Sequence, residues 1–480
     1  MPRPDLVNRH NELRDLRDLA KRAGPSLALL YGRRRVGKTY LLDRVWDSHQ
    51  AFYYLAADST PEINRRGLLE DFSNWKGVPL EGDDYPTWRT VFRLLVDQAT
   101  EAPLIVILDE FQYLMGGDDD IVSQLVAVWD REVGNRNLTI VLSGSEVATL
   151  EGLESGGGPL YGRINWSHRL RPFDYWDAGA MLPGRSNREK AYLYGILGGT
   201  PRFLAALGED DALKDRIIEI LFRPQGEVYL QLENLLYQER GIRSPAEYKA
   251  VLEAVARGQT ETDRIASATG LVDRQHVVRR VLETLERLDL IRRERNFDAG
   301  ARGPWQNRIA DNAVRFWYRF VHPNRSRLVH GKAEEVWNAQ VDPQLDTYMG
   351  KVFERVVEEG YRRLHTDWRL PPAVEWARWE GQDRNRRSIE IDIAARLENG
   401  KMLTGEIKWS SSPVDTDLFG GLQRDLDDLS RSGQGWAREA MEDGAQHLFV
   451  SAAGFTERFQ DEANDTENLH LIDLDQLYLS

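Results

Sequence analysis

Four short apolar runs punctuate the first third of the chain: Ser26–Tyr31, Ala51–Ala56, Leu104–Leu108 and Leu138–Leu142. None alternates with polar positions. An uninterrupted apolar run of this length predicts a strand buried on both faces, as in a parallel sheet covered by helices. The intervening segments are long enough for crossover helices, so this third reads as an α/β core. From about Arg185 to Gln238 the apolar positions recur at helical spacing, without strand-like runs. Pro245–Gly258, Glu261–Thr269 and Gln275–Leu288 then read as three short helices, and Leu290–Arg295 as a wing strand. That is the outline of a winged helix-turn-helix. Asp298–Pro304 reads as a linker. The last third opens with helices at Asn312–Val321 and Tyr348–Leu364. Strands follow at Ser388–Arg396 and Lys401–Trp409, joined at Glu398-Asn-Gly400, with further apolar runs at His447–Ser451 and Leu469–Leu474. These form a second, smaller α/β unit, in which the basic, polar loop Gly381–Arg387 is expected to be disordered. The chain thus divides into 1–178, a helical lid at 179–238, the winged segment at 239–300 and a C-terminal unit at 301–480.

A length of 480 residues exceeds one ordinary core and agrees with this multidomain α/β reading. The apolar and charged fractions, 41% and 29%, are those of a globular protein. No apolar run approaches the roughly 20 residues needed to cross a bilayer, so no membrane partner is expected. Met1–Asp5 lacks the apolar region of a signal peptide and reads as a mature N-terminus. The absence of cysteine excludes disulfides, thiolate metal sites and cysteine nucleophiles. The nine histidines are scattered without ligand-like spacing. A cytoplasmic location is the expectation these absences leave. A net charge of −14 argues mildly against non-specific coating of nucleic acid, though local basic surfaces remain compatible with it.

The most specific chemistry lies at the end of the first apolar run. Gly32-Arg-Arg-Arg-Val-Gly-Lys-Thr39 fits G-x-x-x-x-G-K-[ST], after a predicted strand and before a predicted helix. Glycines at Gly32 and Gly37 let the backbone N–H groups of Arg33, Arg34, Arg35 and Val36 turn toward phosphate oxygens. Lys38 brings a charge to the β- and γ-phosphates, and the Thr39 hydroxyl can ligand Mg²⁺. The helix that begins at Tyr40 directs its positive N-terminal end at the same anion. ATP or ADP with Mg²⁺ is the expected ligand. The run Leu104–Leu108 ends in Asp109-Glu110. Asp109 is placed to hold the cation and Glu110 to polarise the attacking water. Ser143 and Ser145, beyond the next run, are candidate γ-phosphate sensors. Arg163 is a candidate arginine finger or nucleotide sensor, which in trans would imply an oligomer.

Val7-Asn-Arg-His-Asn-Glu-Leu13, the Gly32–Thr39 loop, Leu108-Asp-Glu-Phe-Gln-Tyr-Leu114 and Gly198-Gly-Thr-Pro201 occur in that order. Together they resemble the archaeal-type ATPases of the STAND class, AAA+-related switch proteins. The resemblance implies that Arg9, Glu12 and Pro201 lie toward the adenine. The chain departs from the AAA+ pattern in lacking Asn at the sensor strand.

In the winged segment Arg279, Arg280 and Arg287 fall on the predicted recognition helix, and Arg292, Arg293 and Arg295 on the wing. These arginines could contact phosphates. Glu283, Glu286, Asp289 and Glu294 interleave with them, which equally describes a solvated, ion-paired face. Further on, Glu390-Ile-Asp392 and Glu406-Ile-Lys408 each place two polar residues on one strand face. If these strands pair through Asn399-Gly400, Asp392, Glu406 and Lys408 converge. Carboxylates that chelate Mg²⁺ or Mn²⁺, with a lysine that orients or deprotonates water, suit phosphodiester hydrolysis. Glu354, on a helix upstream, offers another carboxylate. Glu354, Asp392, Glu406 and Lys408 resemble the PD-(D/E)xK nuclease constellation, and the match extends to the nuclease-like domain that follows the ATPase in many archaeal-type members. The implied function is an ATP-binding and hydrolysing switch that controls a metal-dependent nuclease-like effector acting on nucleic acid, DNA first. Two alternatives stand beside it: a regulatory ATPase whose C-terminal domains only bind DNA or a protein partner, and a DNA-loading initiator.

Overall fold

The computed structural model describes residues 6–99, 102–116, 120–208, 213–239, 241–242, 244–300 and 303–479. The reading of Met1–Asp5 and the middle of the expected linker lie outside the described residues. By the density of its contacts the chain forms two compact units, Met1–Pro172 with Glu239–Arg243, and Phe173–Gln238 with Ser244–Ser480.

In the first unit the apolar runs are strands: β1 Ser26–Tyr31, β2 Ala51–Leu55, β3 Leu104–Asp109 and β4 Leu138–Gly144. A fifth, β5 Trp166–Arg169, was not foreseen because its sequence, Trp-Ser-His-Arg, is mostly polar and only half-buried. The order is β2-β3-β4-β1-β5, all parallel. Successive residues of one strand enter opposite cores. Leu27, Leu29 and Tyr31 join the cluster that contains Phe72, Trp88 and Phe92. Ala28 and Leu30 join the other, with Leu16, Leu41 and Leu42. Burial on both faces is why these runs lack polar alternation. It also fixes the sheet so that loops at the carboxyl ends of β1, β3 and β4 meet along one edge.

The second unit begins with helices that include Asn187–Leu197, Pro201–Ala205 and Glu227–Glu233. Three more, Pro245–Ala256, Thr262–Thr269 and Gln275–Arg287, precede the antiparallel pair β6 Ile291–Glu294 and β7 Gln306–Ile309. Helix Gln275–Arg287 buries Val277, Val278, Val281, Leu282 and Leu285 while Arg279, Arg280 and Arg287 stay exposed. The long helix Leu345–Leu364 then leads to a five-stranded sheet. Its members are β8 Ala373–Gln382, β9 Ser388–Leu397, β10 Met402–Lys408, β11 Gln446–Ser451 and β12 Leu469–Asp473, ordered β12-β11-β10-β9-β8. Strands β8, β9 and β10 are antiparallel neighbours, and β10, β11 and β12 are parallel.

One expectation is corrected here. Gly381–Arg387 is ordered: it holds the end of β8 and the turn into β9, where Asp383 Oδ1 accepts from the backbone N–H groups of Asn385 and Arg387, each at 2.8 Å. A buried acid that accepts two backbone donors makes a polar sequence into a defined turn. The linker expected at Asp298–Pro304 is anchored just before its start. Phe297 N–H donates to the Arg378 carbonyl, and its ring is buried against Trp379 and Trp436. Strand β8 itself was missed because it is an edge strand with two register shifts and mostly half-exposed side chains.

Close backbone approach makes Gly405 irreplaceable. A Cβ at this position would lie 1.8 Å from the Leu448 carbonyl oxygen on β11. Gly405→Ala is expected to destabilise the second unit by at least about 2 kcal/mol through forced separation of β10 and β11, read as a lower urea midpoint in denaturation of the full chain. An unchanged midpoint would mean that the sheet tolerates the methyl group.

A second prediction concerns pH. Thr404 Oγ1 and His447 Nδ1 are hydrogen-bonded at 3.0 Å between β10 and β11. Burial, with His470 beside it, pushes the His447 imidazole down from 6.5 to about 4. The unfolded chain takes up this proton first, so the stability contributed is complete above pH 6.5 and is lost as pH falls to about 4. Over that window the wild type is expected to lose about 3 kcal/mol more than His447→Gln. Equal pH slopes in urea titrations of the two proteins would contradict it.

Candidate functional site

The loop after β1 folds back on itself. Gly37, at φ 98°, adopts a left-handed conformation at the start of helix Lys38–Val45, which a residue with a Cβ rarely takes. Arg35 is also left-handed, at φ 71°. Lys38 is buried, and its Nζ donates to the carbonyls of Gly32 at 2.8 Å and Arg33 at 3.2 Å. Burial lowers the Lys38 pKa, and Glu110, Asp109 and Glu239 oppose that shift in turn. A phosphate here would exchange the carbonyl partners of the lysine for charged oxygens. Arg33 and Val36 are buried, Arg34 donates to the Tyr113 hydroxyl at 2.8 Å, and Tyr40 is exposed on the helix.

Strand β4 lies between β1 and β3, so its end separates the loop from Asp109-Glu110. The Thr39 hydroxyl donates to Asp109 Oδ2 at 2.8 Å, and the Tyr53 hydroxyl donates to the same oxygen at 2.5 Å. Asp109 Oδ1 accepts from the Glu110 N–H at 3.0 Å. Glu110 sits at φ 53°, left-handed for a residue with a side chain. Its Oε2 accepts from Ser145 Oγ at 2.7 Å and from Gln112 Nε2. Ser143, fully buried at the end of β4, has a hydroxyl with no hydrogen-bond partner among the described residues. The hydroxyl of Thr39 and the carboxylate of Asp109 are oxygen donors of the kind Mg²⁺ takes, already in contact, so the pair fits the cation.

The remaining expected residues have partners of their own. Arg163 is committed to a bidentate pair with Asp130, at 2.8 and 2.6 Å, which ties the expected finger to its own unit. Arg9, left-handed at φ 64°, pairs with Glu12 at 3.5 Å and donates to the Arg171 carbonyl at 2.5 Å. A hydrogen bond from His168 and the charge of Arg9 hold Glu12 down to about 2, against burial. Pro201 is the first residue of helix Pro201–Ala205 in the second unit, where the Gly199 carbonyl accepts from Phe173 N–H at 2.8 Å. Glu239 was missed. Burial raises its carboxyl pKa, opposed by Arg34, Lys38 and Arg33, so an acid distant in sequence sits within reach of the loop's cations. Nothing in the local sequence marks it.

In the second unit the register of β9 and β10 ends at Gly405↔Ile393, and Asp392 and Glu406 are the next residues on each strand. Lys408 Nζ donates to Glu406 Oε2 at 2.7 Å and to Asp392 Oδ2 at 3.4 Å. Asp392 Oδ2 also accepts from Ile407 N–H at 3.1 Å. Burial and the neighbouring Asp392 push Glu406 well above the usual carboxylate range, and Lys408 opposes them. Glu354, Glu390 and Asp392 each bring a carboxylate oxygen within 4.8 Å of the others. That oxygen set fits a hard divalent cation. Of the expected metal ligands, Glu354 and Asp392 come together with Glu390, whereas Glu406 stands outside that oxygen group and meets Asp392 through Lys408. Glu390 follows from its place two residues before Asp392. Lys351 and Arg378 were missed: Lys351, one helical turn before Glu354, pairs with it at 2.8 Å and with Glu390 at 3.0 Å, and Arg378, which no local signal marks, pairs with Glu390 at 2.8 Å. Burial raises the Glu354 pKa against the pull of Lys351.

Residues 6–207 match a family described as an ATPase domain predominantly from Archaea. This segment is a P-loop ATPase domain. The ATPase domain thus takes in the Gly32–Thr39 loop, Asp109-Glu110 and Gly198–Pro201. Residues 317–417 match a family described as archaeal and bacterial proteins of unknown function, a stretch that contains Glu354, Asp392, Glu406 and Lys408. An uncharacterized protein of Methanocaldococcus jannaschii, MJECL04, is 25% identical over 412 residues, or 84% of this chain and 87% of that protein. Among solved structures, the Walker-type ATPase PABY2304 of Pyrococcus abyssi is similar in fold, at a TM-score of 0.50 and 24% identity, covering 66% of this chain and 99% of that one. The Aeropyrum pernix ORC2 protein, solved as ADPNP–ADP complexes, has a TM-score of 0.45 and 15% identity, over 69% of this chain and 96% of that one. No described helix is long and apolar enough to cross a membrane.

Proposed function

We propose that the ATPase domain acts as a nucleotide-driven switch for a metal-dependent, nuclease-like effector in the second unit that cleaves nucleic acid. The observation that carries the effector is the convergence of Asp392, Glu406 and Lys408 beside Glu354. In this reading Arg33–Val36 and Lys38 bind the phosphates, Glu110 takes a proton from the attacking water, and Ser145 and Gln112 orient its carboxylate. Mg²⁺ held by Thr39 and Asp109 would supply charge neutralisation at the β- and γ-phosphates. At the second site Mg²⁺ or Mn²⁺ held by Glu354, Glu390 and Asp392 would supply the same at a phosphodiester. There Lys408 orients water, and Glu406 fixes the ammonium group. Helices Pro245–Ala256, Thr262–Thr269 and Gln275–Arg287 with β6 and β7 are read as a winged helix, and the chain as core, lid, wing and effector.

The test is cleavage of plasmid and of single-stranded DNA and RNA by the full chain in Mg²⁺ or Mn²⁺, with and without ATP, against Asp392→Asn. Cleavage that the variant lacks supports the effector, and dependence on ATP supports the switch. One observation favours a second reading, a binding-only regulatory ATPase: Lys351 and Arg378 already neutralise Glu354 and Glu390. That reading predicts ATP hydrolysis without cleavage of DNA or RNA.

A further inference from the structure

A cavity of about 770 Å³ opens in the second unit between the β6–β7 hairpin, helices Pro245–Ala256 and Leu345–Leu364, and strand β8. Its lining holds nine arginines and one lysine against five acids, Glu354 and Asp392 among the latter. It therefore opens directly on the carboxylate cluster. Many of the cations are paired, as Arg292 is with Glu358 at 3.1 Å. Three have no carboxylate partner among the described residues. Arg295 donates to the Gly300 carbonyl at 3.2 Å, Arg315 to the carbonyls of Ile309 and Lys351, and Arg319 to Gln344 at 2.8 Å. Positive groups also crowd one another: the charge of Arg378, after burial itself, is the next influence that lowers the pKa of Arg308. Such a surface gains from an anion with several charges.

The cavity also carries an aromatic face. Trp305 lines it and is 45% exposed, unusual for an indole. The Arg295 guanidinium lies 3.7 Å from its ring centroid, with Arg293 at 5.8 Å. A flat ring flanked by guanidinium groups suits a base stacked beside its own phosphate. A volume near 770 Å³ is that of a site for one small ligand, roughly 300–1,000 Å³. It has room for a nucleotide or two of one strand and none for a duplex.

We propose that this cavity binds a single polynucleotide strand, with Trp305 stacking a base and Arg295, Arg315 and Arg319 holding phosphates, and delivers it to Glu354 and Asp392. The delivery step rests on the nuclease reading above, whereas the binding step stands without it.

The test is fluorescence anisotropy of the full chain in EDTA with labelled twelve-nucleotide oligo-dT, oligo-U and a hairpin duplex. Wild type is expected to bind a single strand at least about tenfold more tightly than the hairpin, and the dT and U arms decide between DNA and RNA. Trp305→Ala should weaken strand binding roughly 5- to 150-fold. Arg319→Ala should reduce the dependence of log affinity on log salt by about 0.7. Equal or tighter duplex binding, unchanged affinity in Trp305→Ala, or loss of binding in Arg279→Ala/Arg280→Ala instead would overturn the proposal. Binding as expected without cleavage in Mg²⁺ or Mn²⁺ supports the cavity and removes the nuclease. Cleavage by wild type and Trp305→Ala at equal rate and affinity removes the cavity alone.

Discussion

Glu110→Gln is expected to keep ATP bound while steady-state hydrolysis falls by about a hundredfold or more, within the usual range for loss of a general base. The amide is nearly isosteric, and its oxygen can still accept from Ser145, which holds the carboxylate at 2.7 Å in the wild type. What it loses is the capacity to take a proton. Lys38→Ala should behave differently. The ammonium group is buried and, among the described residues, bonded only to loop carbonyls, at 2.8 and 3.2 Å. Its removal takes a charge from the phosphates in ground and transition states alike, so nucleotide affinity falls together with turnover. Equilibrium binding of a fluorescent ATP analogue, beside phosphate release, separates the two patterns. Glu110→Gln with undiminished turnover would strip Glu110 of the role of base. A loss of binding equal to that in Lys38→Ala would show that it serves the ligand instead.

The second large effect is expected at Asp392. Asp392→Asn keeps an oxygen to accept from Ile407 N–H, bonded at 3.1 Å in the wild type, so the strand pair should survive. The variant removes one charge from the Glu354–Glu390–Asp392 set. Metal-dependent nicking is expected to fall by roughly 10²–10³. Mn²⁺ affinity, followed by paramagnetic broadening or calorimetry, should weaken with it. Glu406 should at the same time titrate lower, because Asp392 is one of the causes that hold it high. Full nicking by the variant would sink the assignment. Weakened Mn²⁺ binding in the variant, beside a wild type that cleaves nothing, would leave a cation site and no nuclease.

The legible parts of the fold are those whose burial leaves a local trace. Strands β1 to β4 contribute residues to cores on both faces, so their sequences are unbroken apolar runs. Helix Gln275–Arg287 buries one stripe and exposes the other, and β9 alternates buried Ile389, Ile391 and Ile393 with Glu390 and Asp392. Strand β8 escaped notice because an edge strand with register shifts shows no clean alternation. The sites divide in the same way. Lys38, Thr39, Asp109 and Glu110 fall within short motifs, since a phosphate loop is a local device. Arg378 and Glu239 approach the site residues only through tertiary folding, and Lys351, though one helical turn from Glu354, reaches Glu390 the same way.

The first unit is not finished by its own first 172 residues, because it also includes Glu239–Arg243. During synthesis the amino end emerges first, and domains generally fold as they become complete. Here the nucleotide-binding unit must wait for some seventy further residues, Phe173–Gln238 and the returning segment. A shortened chain that stops at Pro172 would carry the whole phosphate loop and lack Glu239. It would leave Lys38 without the opposing charge of Glu239, and a shortened chain meant to hold this unit runs through Arg243.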